Sequence, residues 1–441
     1  MNIVQLTPGA GGMYCGNCFR DNALVAALRQ LGHPTVLVPL YLPLRLDEPD
    51  QSAGTPVFFG GVNVYLEQKA AFFRSAPRWL HDLLSAPALL DWTARFAAKT
   101  RPEDVGELAL SMLRGEQGHQ ARELQDLIAW LKTRPRPDVV CLSNAMLVGV
   151  VRQLKLELGT TVVCTLQGEE AYLDSLPEAW RGEVWRTLAE RAQEADLFIA
   201  PSRFFGDRMA ARLGLLPERV RVVFNGINLA GYPPGPSPRK TGGPVLGFFT
   251  RMCREKGLDT LVEAFILVRQ RGRLPGLRLR VGGGCGPGDE PFVAALRDQL
   301  RARGLLGDVD FCPNLDRAGK IAFLRSLDAF SAPALYGEAF GLYVIEALAA
   351  GVPVVQPRHG AFPELLEATG GGRLCEPGSP EALADALESL LLDPARCRAI
   401  GAAGQAAVRA NFSAEAMASR MIQCFQEAVG ARPAPARPVA A

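Results

Sequence analysis

The chain has 441 residues, of which 48% are hydrophobic, and its 48 Lys and Arg nearly balance 46 Asp and Glu. This length predicts two domains of about 200 residues each. The balanced charge excludes partners held by a global field, such as nucleic acid. Without a basic leader or an apolar stretch long enough to span a bilayer, we expect a cytoplasmic protein, with any membrane contact peripheral at the inner face.

Short apolar runs alternate with helical patterns, which is typical of parallel sheets wound with helices. Strands are predicted in the first half at 2–6, 35–40, 138–143, 161–166, 196–200 and 221–224. In the second half they are predicted at 244–249, 277–282, 308–312, 329–332 and 352–356. The sequence therefore predicts an α/β protein of two doubly wound, Rossmann-like domains facing across a cleft, where such sheets bind ligands.

Composition also predicts the boundaries. The first domain is expected at 1–228 and the second at 245–412, separated by a linker rich in Pro and Gly at 229–244. A helix at 413–430 is expected to pack back toward the first domain. The tail at 431–441 has few core-forming residues and is expected to be disordered.

The stretch GAGGMYCGNC, at 9–18, follows the first predicted strand. Its glycines, including Gly11 and Gly12, would let backbone approach a phosphate or a sugar. Its Cys15 and Cys18 form a C-x-x-C pair, which could instead bind a metal or form a labile disulfide. The remaining cysteines are scattered and the four histidines show no paired spacing, so no further metal ligands are apparent.

A helix is predicted at 22–31. Asp21 and Asn22 at its start would either cap the helix or contact a bound donor substrate. Further helices are expected in an insert at about 70–132. Its aromatic residues would pack in a core, or form a surface that binds an acceptor or touches a membrane; they are Trp79, Trp92 and Phe96.

Two segments of the second half carry most of the functional information. In LGFFTRMCREKGLDTL, Arg251 and Lys256 lie between a strand and a helix, where cations can hold a diphosphate or simply form a solvated loop. In YGEAFGLYVIEAL, Glu338 precedes a helix and Glu346 lies in its second turn, with the amides around Gly341 opening the helix. Carboxylates on either side of an anion site suit a nucleotide sugar.

These segments resemble the R-x4-K and E-x7-E elements of retaining glycosyltransferases of the GT-B fold, specifically glycosyltransferase family 4, and more distantly glycogen synthases. VFNGIN at 223–228 and PSRFFGDRM at 201–209 resemble further elements of that family. The resemblance implies a hexosyltransferase that moves a sugar from a UDP-, GDP- or ADP-linked donor to a hydroxyl acceptor, such as one on a lipid or polysaccharide. It also implies retention of configuration and no requirement for a metal or other cofactor.

The resemblance also implies residue roles. Arg251 and Lys256 would stabilise the leaving diphosphate, Glu338 would accept hydrogen bonds from the transferred sugar, and Glu346 would accept them from the ribose. The remaining donor-binding positions implied by the resemblance are Gly11, Gly12, Gln167, Asn314, Phe340, Gly341 and Leu342.

One position departs from the family. Where the family often has His-Gly after a strand, this chain has Gln167 and Gly168, followed by Glu169 and Glu170. An amide can still hydrogen-bond a sugar but cannot relay a proton. Either glutamate would contact a substrate or cap the next helix, and Glu169 is also a conceivable nucleophile. The alternatives are a GT-B phosphorylase or epimerase, a non-catalytic protein that binds nucleotide sugars, and a redox or metal protein built on the C-x-x-C pair.

Overall fold

The computed structural model describes residues 1–9, 16–60, 102–235 and 242–431. The chain forms two compact units. The first comprises Met1–Pro201, Phe205–Val223 and the chain from Met417 onward, and the second comprises Ser202–Phe204 and Phe224–Ala416. The chain therefore enters the second unit before the predicted linker, and its last helix returns to the first.

The first unit contains a parallel six-stranded sheet in the order β2-β1-β3-β4-β5-β6. Its strands are β1 Ile3–Pro8, β2 Thr35–Leu40, β3 Val139–Leu142, β4 Thr161–Thr165, β5 Leu197–Ala200 and β6 Val220–Val222. In the register, Val4 lies opposite Val36 on one side and Val140 on the other. All residues of β3, β4 and β5 are buried, as expected for parallel strands covered on both faces.

The second unit also contains a parallel six-stranded sheet, in the order β12-β11-β10-β7-β8-β9. Its strands are β7 Val245–Phe249, β8 Arg278–Gly283, β9 Val309–Pro313, β10 Ala329–Phe330, β11 Val354–Pro357 and β12 Gly372–Cys375. Phe248, Phe265, Phe330 and Phe362 are fully buried in its core. The two sheets confirm the predicted fold class of doubly wound α/β domains.

Helices connect the strands and cover the sheets. Those in the described part of the first half are α1 Gly16–Gln30, α2 Pro102–Arg114, α3 Ala121–Lys132, α4 Val151–Leu158, α5 Glu170–Ser175, α6 Glu178–Ala192 and α7 Arg203–Leu213. Those that follow are α8 Leu258–Arg271, α9 Glu290–Ala302, α10 Arg317–Arg325, α11 Leu342–Ala349, α12 Phe362–Thr369, α13 Pro380–Leu391, α14 Pro394–Asn411 and α15 Ala414–Gly430.

The first helix begins earlier than predicted. Helix α1 starts at Gly16, so the prediction of Asp21 and Asn22 as caps at its start is wrong. The side chain of Asn22 instead donates to the carbonyl oxygen of Pro49 (3.1 Å) and accepts from the backbone N–H of Gln51 (2.8 Å). The polar pair resembled a cap because the sequence does not reveal this partner in a distant turn.

The described part of the predicted insert, 102–132, contains α2 and α3, which bury Leu110, Leu113, Leu127 and Leu131. Trp79, Trp92 and Phe96 lie outside the described residues, as do positions 432–441 of the predicted tail. Among the described helices, none is both long enough and apolar enough to cross a bilayer.

Candidate active site

The strand order of the second sheet brings two loops side by side. The chain starts this sheet at β7, runs outward through β8 and β9, and then places β10 on the other side of β7. The carboxyl ends of β7 and β10 therefore adjoin where the winding direction reverses, which is where open α/β sheets bind ligands. The loop after β7 carries Arg251 and Lys256, and the loop after β10 carries Glu338.

Lys256 and Glu338 form an ion pair in which Nζ lies 2.6 Å from Oε2. The two side chains are only 19% and 13% exposed, so the pair is largely withdrawn from water. A charge so buried is stabilised only while its counter-ion is present. The structure thus joins two of the residues that the sequence nominated, although 82 positions separate them.

Two tyrosine hydroxyls complete this cluster. Those of Tyr336 and Tyr343 donate to Glu338 Oε2 over 3.1 and 2.9 Å, and Lys256 also donates to the Tyr336 hydroxyl. The ammonium lies 4.9 and 5.2 Å from the centroids of the two tyrosine rings. The sequence analysis missed both side chains, although their nearness to Glu338 in the chain was an available signal.

The cluster holds both ions in their charged forms. Burial acts to lower the pKa of Lys256, but the charge of Glu338 together with the electrostatic effect of Tyr336 and the hydrogen bonds to both groups raises that pKa above its ordinary value. Burial acts to raise the pKa of Glu338, but Lys256 and the tyrosine hydroxyls bring it below its ordinary value. The stabilisation by Glu338 is therefore present above the unfolded-state pKa of about 4.3 and is lost as the pH falls through the lowered value.

Two glycines make room for the loops that hold this pair. Gly257 has φ +75°, and a Cβ there would lie 2.0 Å from the carbonyl oxygen of Pro333. Gly360 has φ +61°, and a Cβ there would lie 2.6 Å from the backbone nitrogen of Glu338. Since both positions combine a left-handed backbone with a close approach, only glycine fits them without displacing the Glu338 loop.

Arg251, the other predicted cation, is bound by an aspartate that follows β8. Its Nε lies 3.1 and 3.2 Å from the two carboxylate oxygens of Asp289, and its Nη2 lies 2.9 Å from Oδ1. The Arg251 side chain is 67% exposed and that of Asp289 only 9%. The guanidinium is therefore fixed along one edge and open to solvent elsewhere. The sequence analysis did not nominate Asp289.

Asn314, predicted as a donor-binding residue, holds the glycine-rich loop after β8. Its φ is +55°, and its backbone N–H donates to the carbonyl oxygen of Gly283 over 2.8 Å. Its side-chain amide accepts from the N–H of Cys285 over 3.1 Å and donates to the carbonyl oxygen of the same residue over 3.0 Å. Its described role is to fix this loop, and a contact with a donor stays a prediction.

Glu346 lies on α11, as predicted, and is paired with a cation that the sequence analysis missed. Its Oε1 is 2.8 Å from Lys320 Nζ on α10, and both side chains are largely buried. In the predicted role, Glu346 would therefore accept hydrogen bonds from ligand hydroxyls beside the positive charge of Lys320.

The start of α11, where the sequence predicts an anion site, follows a glycine in the left-handed region. Gly341 precedes the helix with φ +93°, and Leu342 is its first residue. Phe340 is 3% exposed, and its ring packs 6.1 Å from that of Phe224 and 6.4 Å from that of Phe412. The Phe340 side chain is therefore part of the core, and a contact of its backbone with a donor stays a prediction.

In the first unit, the buried side chain of Glu169 connects two loops through hydrogen bonds. Its carboxylate accepts from the N–H of Gln167 over 2.6 Å and from that of Ala145 over 2.9 Å, and the residue is buried. These bonds tie the loop after β4 to the loop after β3. The side chain makes no capping hydrogen bond to α5, so the capping interpretation is wrong for Glu169. Donor binding by Gln167 stays a prediction.

Comparison with known families decides the relationship. The model described as "Glycosyl transferases group 1" matches residues 235–407, and the model described as "Glycosyltransferase Family 4" matches residues 101–230. The chain belongs to glycosyltransferase family 4. The stretches that carry Lys256, Glu338 and Glu346 all lie within the first of these matches.

Two relatives illustrate the breadth of this family. Glycogen synthase of Mycobacterium tuberculosis is 29% identical to the glycosyltransferase over 292 residues, which cover 66% of this chain and 69% of the relative. Phosphatidyl-myo-inositol mannosyltransferase of Mycobacterium leprae is 34% identical over 209 residues, which cover 46% of this chain and 52% of the relative. The matched region thus spans about two thirds of one relative and half of the other.

A solved structure supports the architecture. The Anabaena protein HepE, crystallised with UDP and glucose, superposes with a TM-score of 0.67 at 19% identity, covering 97% of this chain and 99% of HepE. At this identity the likeness establishes the fold. The two doubly wound units of the glycosyltransferase are those of the GT-B fold.

The first predicted loop lies only partly within the described residues. Gly11, Gly12 and Cys15 lie outside the described residues. Cys18 is buried in α1, and its thiol donates to the carbonyl oxygen of Pro8 over 3.0 Å. In the described ranges, no three His, Cys, Asp or Glu side chains are grouped to hold a metal ion.

Glu170 is buried, and within the described chain no group hydrogen-bonds its Oε2. Burial and then the charge of Glu169 raise its pKa to about 7. Because the folded state binds this proton more tightly than the unfolded state, stability should fall as the pH rises from about 4.5 to 7. We expect Glu170→Gln to stabilise the glycosyltransferase by about 1–2 kcal/mol at pH 8 but not at pH 4.5.

Thermal melting of wild type and Glu170→Gln at these two pH values measures the effect. Glu190→Gln, at an exposed position on α6, is the control and should show no such pH-dependent gain. Equal melting temperatures for wild type and Glu170→Gln at pH 8 would contradict this prediction.

Proposed function

We propose that the protein transfers a sugar from a nucleotide sugar to a hydroxyl acceptor, with retention of configuration and without a metal. The observation that carries the proposal is the buried pair of Lys256 and Glu338 at the switch point of the second sheet. It places a cation and a hydrogen-bond acceptor together where the fold binds ligands. A diphosphate needs the former and a sugar the latter.

In the proposed reaction, Lys256 and Arg251 bind the donor diphosphate. Negative charge grows on the diphosphate as the bond from the anomeric carbon to its oxygen breaks. Fixed positive groups stabilise that charge more in the transition state than in the ground state, and this lowers the barrier. Two such cations supply the charge stabilisation for which other transferases use a metal ion.

Glu338 accepts hydrogen bonds from hydroxyls of the transferred sugar, and Glu346 accepts them from the ribose. The acceptor oxygen attacks the anomeric carbon on the face that the diphosphate leaves, and its proton passes to the departing phosphate oxygen. The sugar thus keeps its configuration without a protein nucleophile. Glu169 is not assigned that role, because both of its oxygens accept backbone hydrogen bonds.

The relatives motivate the substrate classes. HepE was solved with UDP and glucose, and the relatives bear the names of a glycogen synthase and a phosphatidyl-myo-inositol mannosyltransferase. We therefore propose a hexosyl donor and an acceptor hydroxyl on a polysaccharide or a lipid. Cytoplasmic location, with peripheral contact at the inner face of the membrane, stays a prediction from the sequence.

A melting panel tests donor binding. UDP-, GDP- and ADP-sugars are added to the protein, and a donor at 100 times its dissociation constant should stabilise it by about 2.7 kcal/mol. Only the donor with the matching base and sugar should give the full shift. If no compound in the panel changes the melting temperature, the proposed donor site is wrong.

Turnover separates transfer from mere binding. With the stabilising donor and a panel of acceptors, we expect release of nucleoside diphosphate and formation of a product with retained anomeric configuration. The rate of this reaction should not fall when EDTA is added. Binding without turnover would favour the non-catalytic alternative, which the replacement of the family histidine by Gln167 motivates. Loss of activity in EDTA, restored by a divalent metal, would overturn metal independence.

A further inference from the structure

We propose that Asp289 is a positioning residue for donor binding: it holds the guanidinium of Arg251 so that its outer edge faces the diphosphate. This inference rests on the proposed function and adds a residue that the family elements do not include. Asp289 itself does not touch the donor in this proposal. It acts through Arg251, with which it makes contacts of 2.9, 3.1 and 3.2 Å.

The geometry divides the donors of Arg251 into two groups. Asp289 lies against the side edge of the guanidinium: the Nε–H is shared between the two carboxylate oxygens, and Nη2 lies 2.9 Å from Oδ1. A guanidinium has five N–H donors in a rigid plane, so this leaves the end edge, with Nη1 and the second hydrogen of Nη2, for an anion. Because the Arg251 side chain is 67% exposed, that end edge can reach a ligand.

Asp289 is itself fixed. Its Oδ2 accepts from the N–H of Gly286 over 3.1 Å, and its backbone N–H donates to the carbonyl oxygen of Gly286 over 2.8 Å. The N–H of Met252, next to Arg251, donates to the carbonyl oxygen of Gly284 over 2.8 Å. The loops after β7 and β8 are therefore tied together beside the ion pair, and both partners start from anchored backbone.

Two opposite effects of Asp289 on an anion can be weighed. Its negative charge repels a diphosphate, but through an exposed guanidinium and solvent this repulsion is strongly screened. Its contacts with Nε and Nη2 of Arg251 restrict a long side chain that would otherwise occupy many rotamers. We therefore expect positioning to dominate, so that loss of the carboxylate weakens donor binding instead of strengthening it.

The test is a double-mutant cycle on nucleotide affinity. The probe is UDP, GDP or ADP, whichever binds wild type most tightly, and its dissociation constant is measured for wild type, Asp289→Asn, Arg251→Ala and the double variant. We expect Asp289→Asn to raise the dissociation constant about 10-fold in the wild-type background and to have no effect in the Arg251→Ala background. A merely structural role would give the same loss in both backgrounds.

Asp298→Asn is the matched control. Asp298 lies on α9, is 72% exposed and pairs with Arg301 at the surface, so its replacement should leave nucleotide affinity unchanged. If Asp289→Asn melts early, Asp289→Glu keeps a carboxylate and should restore affinity towards the wild-type value.

The outcomes separate this inference from the proposed function. Failure of wild type to bind any of the three nucleotides would overturn the donor site and this inference with it. If wild type binds a nucleotide, three results would overturn the role of Asp289 alone. Asp289→Asn could weaken binding equally in both backgrounds, leave the dissociation constant unchanged, or lower it.

Discussion

Lys256→Ala is expected to lower kcat by about 10²- to 10³-fold, the usual loss when one preorganised charge-stabilising group is removed. Lys256 supplies a buried ammonium whose charged form is held by Glu338. Its removal also leaves Glu338 without its counter-ion, which should destabilise the fold by about 3–5 kcal/mol. Initial rates with saturating donor, together with thermal melting, measure the two effects.

The variant Lys256→Ala/Glu338→Gln separates catalysis from folding. It removes both charges, so the melting temperature should recover towards that of wild type while turnover stays low. Retention of full activity in the Lys256→Ala variant would refute the proposed mechanism. Recovery of activity in the double variant would show that the loss came from misfolding alone.

Glu338→Gln is expected to lower kcat/KM by about 10- to 100-fold, since hydrogen bonds to a charged acceptor contribute about 1.5–3 kcal/mol. The same substitution should not lower the affinity for the nucleoside diphosphate. Glu338 competes with a diphosphate for the Lys256 ammonium, from which its Oε2 lies 2.6 Å away. Without that carboxylate, UDP or the preferred nucleoside diphosphate should bind at least as tightly as it does to wild type.

Titration of the nucleoside diphosphate and initial rates with the full donor distinguish these effects. Glu367→Gln, at an exposed carboxylate on α12, should change neither quantity and serves as the control. A parallel loss of affinity for nucleoside diphosphate and nucleotide sugar in Glu338→Gln would mean that Glu338 contributes to the shape of the phosphate site instead of binding the sugar.

Most strands could be predicted because parallel strands that are buried on both faces appear as uninterrupted apolar runs. Among the strands in the described ranges, the exception is β12, Gly372–Cys375, whose sequence GRLC contains a glycine and an arginine. It lies at the edge of the sheet, where one side of the strand is unpaired. A short strand of this kind leaves no distinctive apolar pattern.

The nominated site residues came from local spacing, whereas two of the missed ones, Asp289 and Lys320, come from elsewhere in the chain. Arg251 and Lys256 share one loop, but Asp289 and Lys320 are brought to the same edge of the sheet by later strands. Spacing can identify groups that act on one ligand. It does not reveal which side chains neutralise them, because that depends on how the strands are ordered.

The division of the chain has a consequence for synthesis. The first unit is completed by residues that follow the whole second unit, and among these Met417, Met421 and Phe425 are at most 1% exposed. On a ribosome, the first unit must therefore wait for the second to emerge before it can bury these side chains. Until then, its unfinished apolar surface is a natural target for chaperones, and the two units cannot be produced as independent pieces by one cut between them.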